Sequence, residues 1–365
     1  MPMIKSAVVA AAFTSLGLAA CATDSASGGA ASGSATSPAS ASRYLSQPII
    51  PGMYTADPSA HVFNNRIYLY PSHDIDAGVP DDDQGSHFAM RDYRVFSMDR
   101  VGAPITDHGV ALDLKDVPWA ARQLWAPDAA EKNGKYFLYF PAKDRQDIFR
   151  IGVAVSDRPE GPFKAEPTPI PGSFSIDPAI FRDGNEHYMV FGGIWGGQLQ
   201  RWATGQWNPN GSNSDLGQPD RPALTPKFAK MSADMLTFAE TPRDLVIVDE
   251  AGQPLKGGDT SRRFFEGAWM HKHNGLYYLS YSTGETHRIV YATSQTPYGP
   301  FTYRGVVLEP VQGWTTHHSI VQHEGKWWLF YHDTQMSGKT HLRNVKVTEL
   351  RYNSDGTIQT INPMR

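Results

Sequence analysis

One pattern recurs five times along this chain and restricts its folding more than anything else in it. A short apolar run is followed by a two-residue turn and then by an aromatic run. The copies are Asp57-PSAHVFNNRIYLY, Asp128-AAEKNGKYFLYF, Asp177-PAIFRDGNEHYMVF, Glu266-GAWMHKHNGLYYLSY and His318-SIVQHEGKWWLFY. Their turn pairs, Asn-Asn, Asn-Gly, Asp-Gly, Asn-Gly and Glu-Gly, suit the positive φ that tight hairpins require. A second hairpin follows several copies: Ile151-GVAVSDRPEGPF and Ile289-VYATSQTPYGPF are near duplicates, and Tyr93-RVFSMDR is a degenerate one. Two hairpins make a four-stranded unit. Residues 48–365 allow about 64 residues for each of five such units, which predicts an all-β, five-bladed β-propeller of four-stranded antiparallel blades. A β-sandwich is the next choice. No amphipathic window lasts long enough to argue for helices.

Composition agrees. Aromatic residues make up 12% of the chain, and 33 Gly with 27 Pro favour many turns. A formal net charge of −4 gives no support to nucleic-acid binding. The single cysteine excludes an intrachain disulfide framework and a Cys-rich zinc site. No Gly-x-Ser-x-Gly, Gly-x4-Gly-Lys-Ser/Thr or His-Glu-x-x-His motif occurs.

That cysteine is Cys21. Lys5 precedes an apolar stretch, Ala7 to Ala20, too short to span a bilayer, and Leu18-Ala-Ala-Cys21 resembles a bacterial lipobox. Residues 1–20 are expected to be a lipoprotein signal peptide. Residues 21–47, rich in Ala, Gly and Ser, would be a lipidated cysteine and flexible tether before the domain at 48–365. The expected location is the cell envelope, periplasmic or outer-membrane, with a lipid anchor as the membrane partner.

The repeat also locates a site. Counted back from Asn65, Gly134, Gly184, Gly275 and Gly325, taken as the second turn residues, the polar residues Asp57, Asp128, Asp177, Glu266 and His318 lie eight, six, seven, nine and seven positions away. If the first strands are innermost, these side chains converge at one mouth of a central channel. Gathering four acids and a histidine there without purpose would be costly.

Ala56-Asp-Pro-Ser, Trp125-Ala-Pro-Asp, Ile176-Asp-Pro-Ala-Ile-Phe and Phe265-Glu-Gly-Ala-Trp resemble the blade signatures of glycoside hydrolase family 43, over essentially all of 48–365. The resemblance implies inverting hydrolysis of glycosidic bonds. It implies Asp57 as general base, Glu266 as general acid, and Asp177 as the residue that orients the acid and raises its pKa. An inverting enzyme needs two carboxyl groups roughly 6.5–9.5 Å apart, which different blades can provide. Asp128 is not catalytic in that family. The resemblance also places Trp125 on the pocket wall and Arg343 against a sugar hydroxyl or carboxylate. Trp195, His73 and His317 are further candidate substrate contacts, and the resemblance implies that a histidine at 317 or 318 faces the channel. His318, with the better offset, would help hold a structural calcium; no cofactor is expected for catalysis. Asp81-Asp-Asp reads as a solvated acidic loop. The insertions 74–92 and 205–262 are expected to wall the mouth and favour exo action. The expected partner is a plant-cell-wall carbohydrate, arabinoxylan or arabinan. The chain would be an exo-acting β-xylosidase or α-L-arabinofuranosidase, the alternatives being an arabinan endo-hydrolase, a galactan-acting hydrolase or a non-catalytic sugar-binding propeller.

Overall fold

The computed structural model describes residues 43–212 and 218–364. The expected signal peptide, Cys21 and most of the tether lie outside the described residues. Within them, helix is confined to three 3₁₀ turns, Leu114–Asp116, Trp195–Gly197 and Leu199–Trp202.

Five small sheets follow one another along the chain. Blade I holds Thr55–Phe63, Arg66–His73, Asp92–Met98 and Thr106–Asp113; blade II holds Asp128–Lys132, Lys135–Asp144, Phe149–Ser156 and Lys164–Ala165. Blade III holds Ala179–Asp183, Glu186–Phe191, Lys227–Lys230 and Arg243–Asp244. Blade IV holds Glu266–His273, Leu276–Ser282, Ile289–Ser294 and Phe301–Leu308, with Ile247–Val248 added in parallel at its outer edge. Blade V has three strands, His318–His323, Lys326–Asp333 and Asn344–Leu350. The first strand of each blade packs on the first strand of the next, and that of blade V returns to blade I. The sheets therefore form a closed five-bladed ring with the first strands innermost.

Closure uses the start of the described chain. Ile49 N–H donates to Val345 O at 3.0 Å, Leu45 N–H to Pro363 O at 2.8 Å, and Thr55 N–H to Arg343 O at 2.9 Å. Of these, the Ile49–Val345 bond lies along the edge that the three strands of blade V leave open, which is one way to protect a strand edge.

The aromatic second strands explain the core. In Lys135–Asp144, Tyr136, Leu138 and Phe140 pack toward blade I with Tyr70, Tyr93 and Val95. The alternate residues Phe137 and Tyr139 pack toward blade III with Met189 and Phe191. Side chains alternate across a strand, so a strand buried on both faces reads as an unbroken apolar run. Each such side chain contributes about 1.5–3 kcal/mol by leaving water.

The turns set the register. Asn64-Asn65, Asn133-Gly134, Asn274-Gly275 and Glu324-Gly325 have positive φ at both positions, as type I′ turns require. Blade III differs: Asp183 pairs with Glu186, so its turn is Gly184-Asn185, not Asp183-Gly184. Measured from the true second turn residues, one rung lies eight positions back in every blade: Asp57, Ala126, Asp177, Gly267 and His317. His317, rather than His318, is the counterpart of Asp57 and Asp177. Glu266 stands one residue before the rung, Asp128 two after it.

Candidate active site

The rung lies at the mouth of the channel, where the backbone breaks its ladder. In blade I the pairs Ala56↔Ser72 and Ser59↔Tyr70 leave Asp57-Pro58 as a bulge; in blade IV, Glu266↔Ser282 and Trp269↔Ser280 leave Gly267-Ala268. Bulges re-aim side chains and end pairing, here at the channel mouth. Asp57 and Asp177 take φ of 47° and 56°, and Gly267 takes 63°. Glycine is required at 267 on a second ground, because a Cβ there would stand 3.0 Å from His317 Cδ2. Asp57, Ala126, Asp177, Glu266 and His317 all line one cavity of about 300 Å³.

Asp57 is 6% exposed, so its charge needs partners. Its Oδ1 accepts from Arg343 Nη1 at 2.9 Å and its Oδ2 from Ser72 Oγ at 2.7 Å. Arg343 is itself buried and is shared with Asp74, to which it donates from Nε at 2.9 Å, Nη2 at 2.8 Å and the backbone N–H at 2.8 Å. Burial alone would raise the Asp57 pKa. Arg343 chiefly, with His332, His317 and the Ser72 hydroxyl, outweighs burial and brings it to about 2.

Glu266 moves the other way. Burial, reinforced by the Asp57 charge and opposed by Arg343, pushes it up to about 8. Asp177 is also raised, by burial first and then by the charges of Glu266 and Asp57. The two carboxyl groups titrate as a pair that keeps a proton into the neutral range. Asp177 Oδ2 accepts the Gly267 N–H at 2.9 Å, which favours charge on Asp177 and leaves the proton to Glu266. His317 Nε2 lies 3.8 Å from the same Oδ2, and burial lowers the pKa of the imidazole.

Aromatic rings form the walls. Trp125 packs on Phe149 at 4.6 Å between centroids and donates from Nε1 to Phe88 O at 2.8 Å. Trp195 lies 5.4 Å from Phe265 and 5.5 Å from Trp314, and all three line the cavity. The insertion 74–92 supplies another wall through Asp81, Asp82, Asp83, Gly85, His87, Phe88 and Met90. It is pressed against Trp125 so closely that a Cβ on Gly85, whose φ is +67°, would meet Trp125 Cη2 at 2.6 Å. Asp82 holds the loop together by accepting the N–H groups of Gln84 at 3.0 Å and Ser86 at 2.9 Å.

Asp57, Asp177, Glu266, Trp125, Trp195, Arg343 and His317 are thus brought together as expected from the sequence. Other expectations are corrected. His73 is not among the residues that line the cavity; it pairs with Asp92 at 2.7 Å, because it ends a strand whose neighbour begins with that aspartate. Arg343 reaches Asp57 and Asp74 as well as the cavity. Among the described residues of 205–262 none lines the cavity; this stretch forms the outer strands of blade III and the added strand of blade IV. Asp128 lies below the rung and accepts from Ser59 Oγ and the Ile180 N–H, with His61 Nε2 at 2.6 Å. Asp74, Ser72, His332, Thr315 and Trp314 were not anticipated; Ser72 and His332 lie on second strands and Asp74 directly follows one, and the repeat argument treated those strands only as core.

His318 is fully buried, with Nε2 2.6 Å from Ser280 Oγ of blade IV and Nδ1 without a hydrogen-bond partner. Calcium takes about six to eight oxygen ligands. Among the described residues no group of three or more His, Cys, Asp or Glu side chains is arranged to hold a metal. The residues at His318 do not form a calcium cage.

Comparison with known proteins places these features. Residues 45–358 match the family described as glycosyl hydrolases family 43. The chain is 56% identical over 322 residues to a xylosidase/arabinosidase of Bacteroides ovatus, covering 87% of this chain and 97% of that protein. It is 51% identical over 319 residues to a β-xylosidase of Xylanibacter ruminicola, covering 86% and 98%. Among solved structures it resembles a β-xylosidase/α-arabinofuranosidase from a compost metagenome, in complex with xylotriose in a calcium-free form, with 65% identity, a TM-score of 0.86, and 88% and 98% of the two chains covered. It also resembles a GH43_1 enzyme of Xanthomonas citri complexed with xylotriose, with 55% identity, a TM-score of 0.83, and 88% and 94% covered. With its ring of five blades and three carboxyl groups gathered at one mouth, the chain belongs to glycosyl hydrolases family 43.

Proposed function

We propose that this chain is an exo-acting, inverting glycosidase that releases xylosyl or arabinofuranosyl units from hemicellulose oligosaccharides. One observation carries the mechanism: two carboxyl groups in one cavity are held in opposite protonation states, Asp57 near 2 and Glu266 near 8. Such divergence assigns base and acid. Asp57 takes a proton from water, whose oxygen bonds to the anomeric carbon. The glycosidic C–O bond breaks and its electron pair goes to the leaving oxygen, which Glu266 protonates. Asp177 shares the proton equilibrium of Glu266 and steadies its backbone through the Gly267 N–H. Arg343 keeps Asp57 anionic. Trp125, Trp195 and His317 would contact the sugar. The names of the relatives at 51–56% identity support the substrate class. The wall formed by 74–92 supports exo action.

No catalytic step is assigned to a metal. We also infer, from Lys5, the apolar run and Cys21, that the chain is an exported lipoprotein tethered at the cell envelope. The test of the main reading is proton NMR of xylobiose or a β-xyloside during the first minutes of hydrolysis. α-Xylose should appear first and β-xylose only by mutarotation. β-Xylose first, or no hydrolysis of any xylosyl or arabinofuranosyl substrate, would overturn it.

A further inference from the structure

The bulge that aims Asp57 has a backbone amide outside the sheet ladder. A buried N–H without an acceptor is costly, so its partner matters. That partner is His332, on the second strand of blade V, whose Nδ1 accepts the Asp57 N–H at 3.0 Å. The other ring nitrogen, Nε2, lies 3.0 Å from Thr315 O and 3.1 Å from Thr315 Oγ1. A carbonyl oxygen only accepts, so Nε2 carries the proton and Nδ1 is free to accept. His332 is 1% exposed, so both ring nitrogens rely on these partners. The same device recurs across the ring: the bulge amide of Gly267, on the same rung, donates to Asp177.

We propose that His332 is a positioning residue for the reaction. By holding its neutral Nε2–H tautomer it captures the Asp57 amide, fixes the left-handed backbone at φ 47° and so aims the carboxylate at the attacking water. This rests on the reading of Asp57 as the base. The charged and titratable groups facing the ring are Asp57, Arg343 and His317. Burial first, then Arg343, lower the pKa of the imidazole to about 3, so at neutral pH it keeps its acceptor. A protonated ring could not accept the Asp57 N–H. A one-ångström misplacement of a reacting group costs on the order of 10²-fold in rate.

The test compares His332→Leu, His332→Asn and His332→Gln on xylobiose and on 4-nitrophenyl β-xyloside. Asparagine places its carbonyl oxygen where Nδ1 was, and glutamine places its polar group nearer Nε2. His332→Leu should lose about 10²-fold in kcat on both substrates with KM nearly unchanged. A good leaving group does not relieve a misplaced base. His332→Asn should recover at least tenfold of that loss, and His332→Gln should not. If the leucine variant does not fold, the Asn and Gln pair decides alone. Equal kcat for Asn and Gln, a leucine variant within threefold of wild type, or a loss confined to KM would overturn the proposal. Asp57→Ala is measured alongside. If that variant stays active, the assignment of the base has failed. If it is inactive while the His332 variants are unimpaired, only the positioning role has failed.

Discussion

Glu266 stands one residue ahead of the rung that Asp57 occupies in its own blade: Glu266 pairs with Ser282 as Ala56 pairs with Ser72, and Gly267 matches Asp57. The acid therefore leaves the last paired position, and the base leaves the bulge itself. One hairpin plan thus supplies two carboxyl groups with different approaches to the same cavity. It also frees position 267 for glycine, whose N–H reaches Asp177.

The two carboxyl groups should respond differently to the leaving group. Asp57→Ala should lose about 10²–10⁴-fold on oligosaccharides and on aryl glycosides alike, because water must be activated in both. Glu266→Ala should lose as much on oligosaccharides but far less on an aryl glycoside whose phenolate departs unassisted. Steady-state kinetics on xylobiose and 4-nitrophenyl β-xyloside make the comparison. An Asp57 variant rescued by the good leaving group, with Glu266→Ala not rescued, reverses the roles.

Activity requires Asp57 charged and Glu266 protonated. The kcat/KM profile should fall as pH rises through about 8, the pKa of Glu266, while Asp57, at about 2, imposes no acid limb above pH 4. Asp177→Asn removes a negative neighbour from the pair, which lowers the pKa of Glu266. The alkaline limb should move to lower pH, and an unmoved or upward-shifted limb would count against the coupling.

The same shift predicts a stability change. The folded-state pKa of Glu266, about 8, lies above its ordinary value of 4.5. Its contribution is therefore complete below pH 4.5 and is lost as pH rises toward 8. Glu266→Gln mimics the protonated acid at every pH. The variant should be inactive on oligosaccharides yet more stable than wild type at pH 8 by about 1–3 kcal/mol, with little difference at pH 4.5. Urea denaturation at the two pH values checks it.

Asp74 takes three donors from Arg343, and Asp57 takes the fourth. Asp74→Ala leaves the buried guanidinium with one carboxylate. It should cost about 3–5 kcal/mol of stability, by analogy with other broken buried ion pairs, and should lower kcat as Arg343 shifts. Denaturation and kinetics on one preparation measure both, and a loss under 1 kcal/mol would contradict the shared-guanidinium arrangement.

Metabolic labelling with a radioactive fatty acid should mark the wild-type chain and not Cys21→Ala. Label that survives the substitution would rule out a lipid on Cys21 as its source.

The five hairpins, their inner starts and the three carboxyl groups were legible because period-two apolar runs and turn pairs are local signals. The register in blade III was not. Asp183-Gly184 and Gly184-Asn185 are both acceptable turns, and only the pairing of Asp183 with Glu186 chooses between them. That one-residue slip gave Asp177 the same offset as His318, when its counterpart is His317. The environment of Asp57 was not legible for a different reason. His332 and Arg343 lie 275 and 286 residues away in sequence, and no local pattern reports a contact made only when the ring closes. His73 failed because its partner, Asp92, lies beyond an insertion, on the neighbouring strand.

The seam where blade V meets blade I is also where the reaction is prepared. Arg343 and His332 come from the last blade, and Asp57, Ser72 and Asp74 from the first. The ion pair that sets the charge of the base is therefore a latch across the only junction that the chain must close end to end. A ring that opens there parts Asp57 from both Arg343 and His332 in the same event. Closing the circle and preparing the proposed base are therefore one structural event.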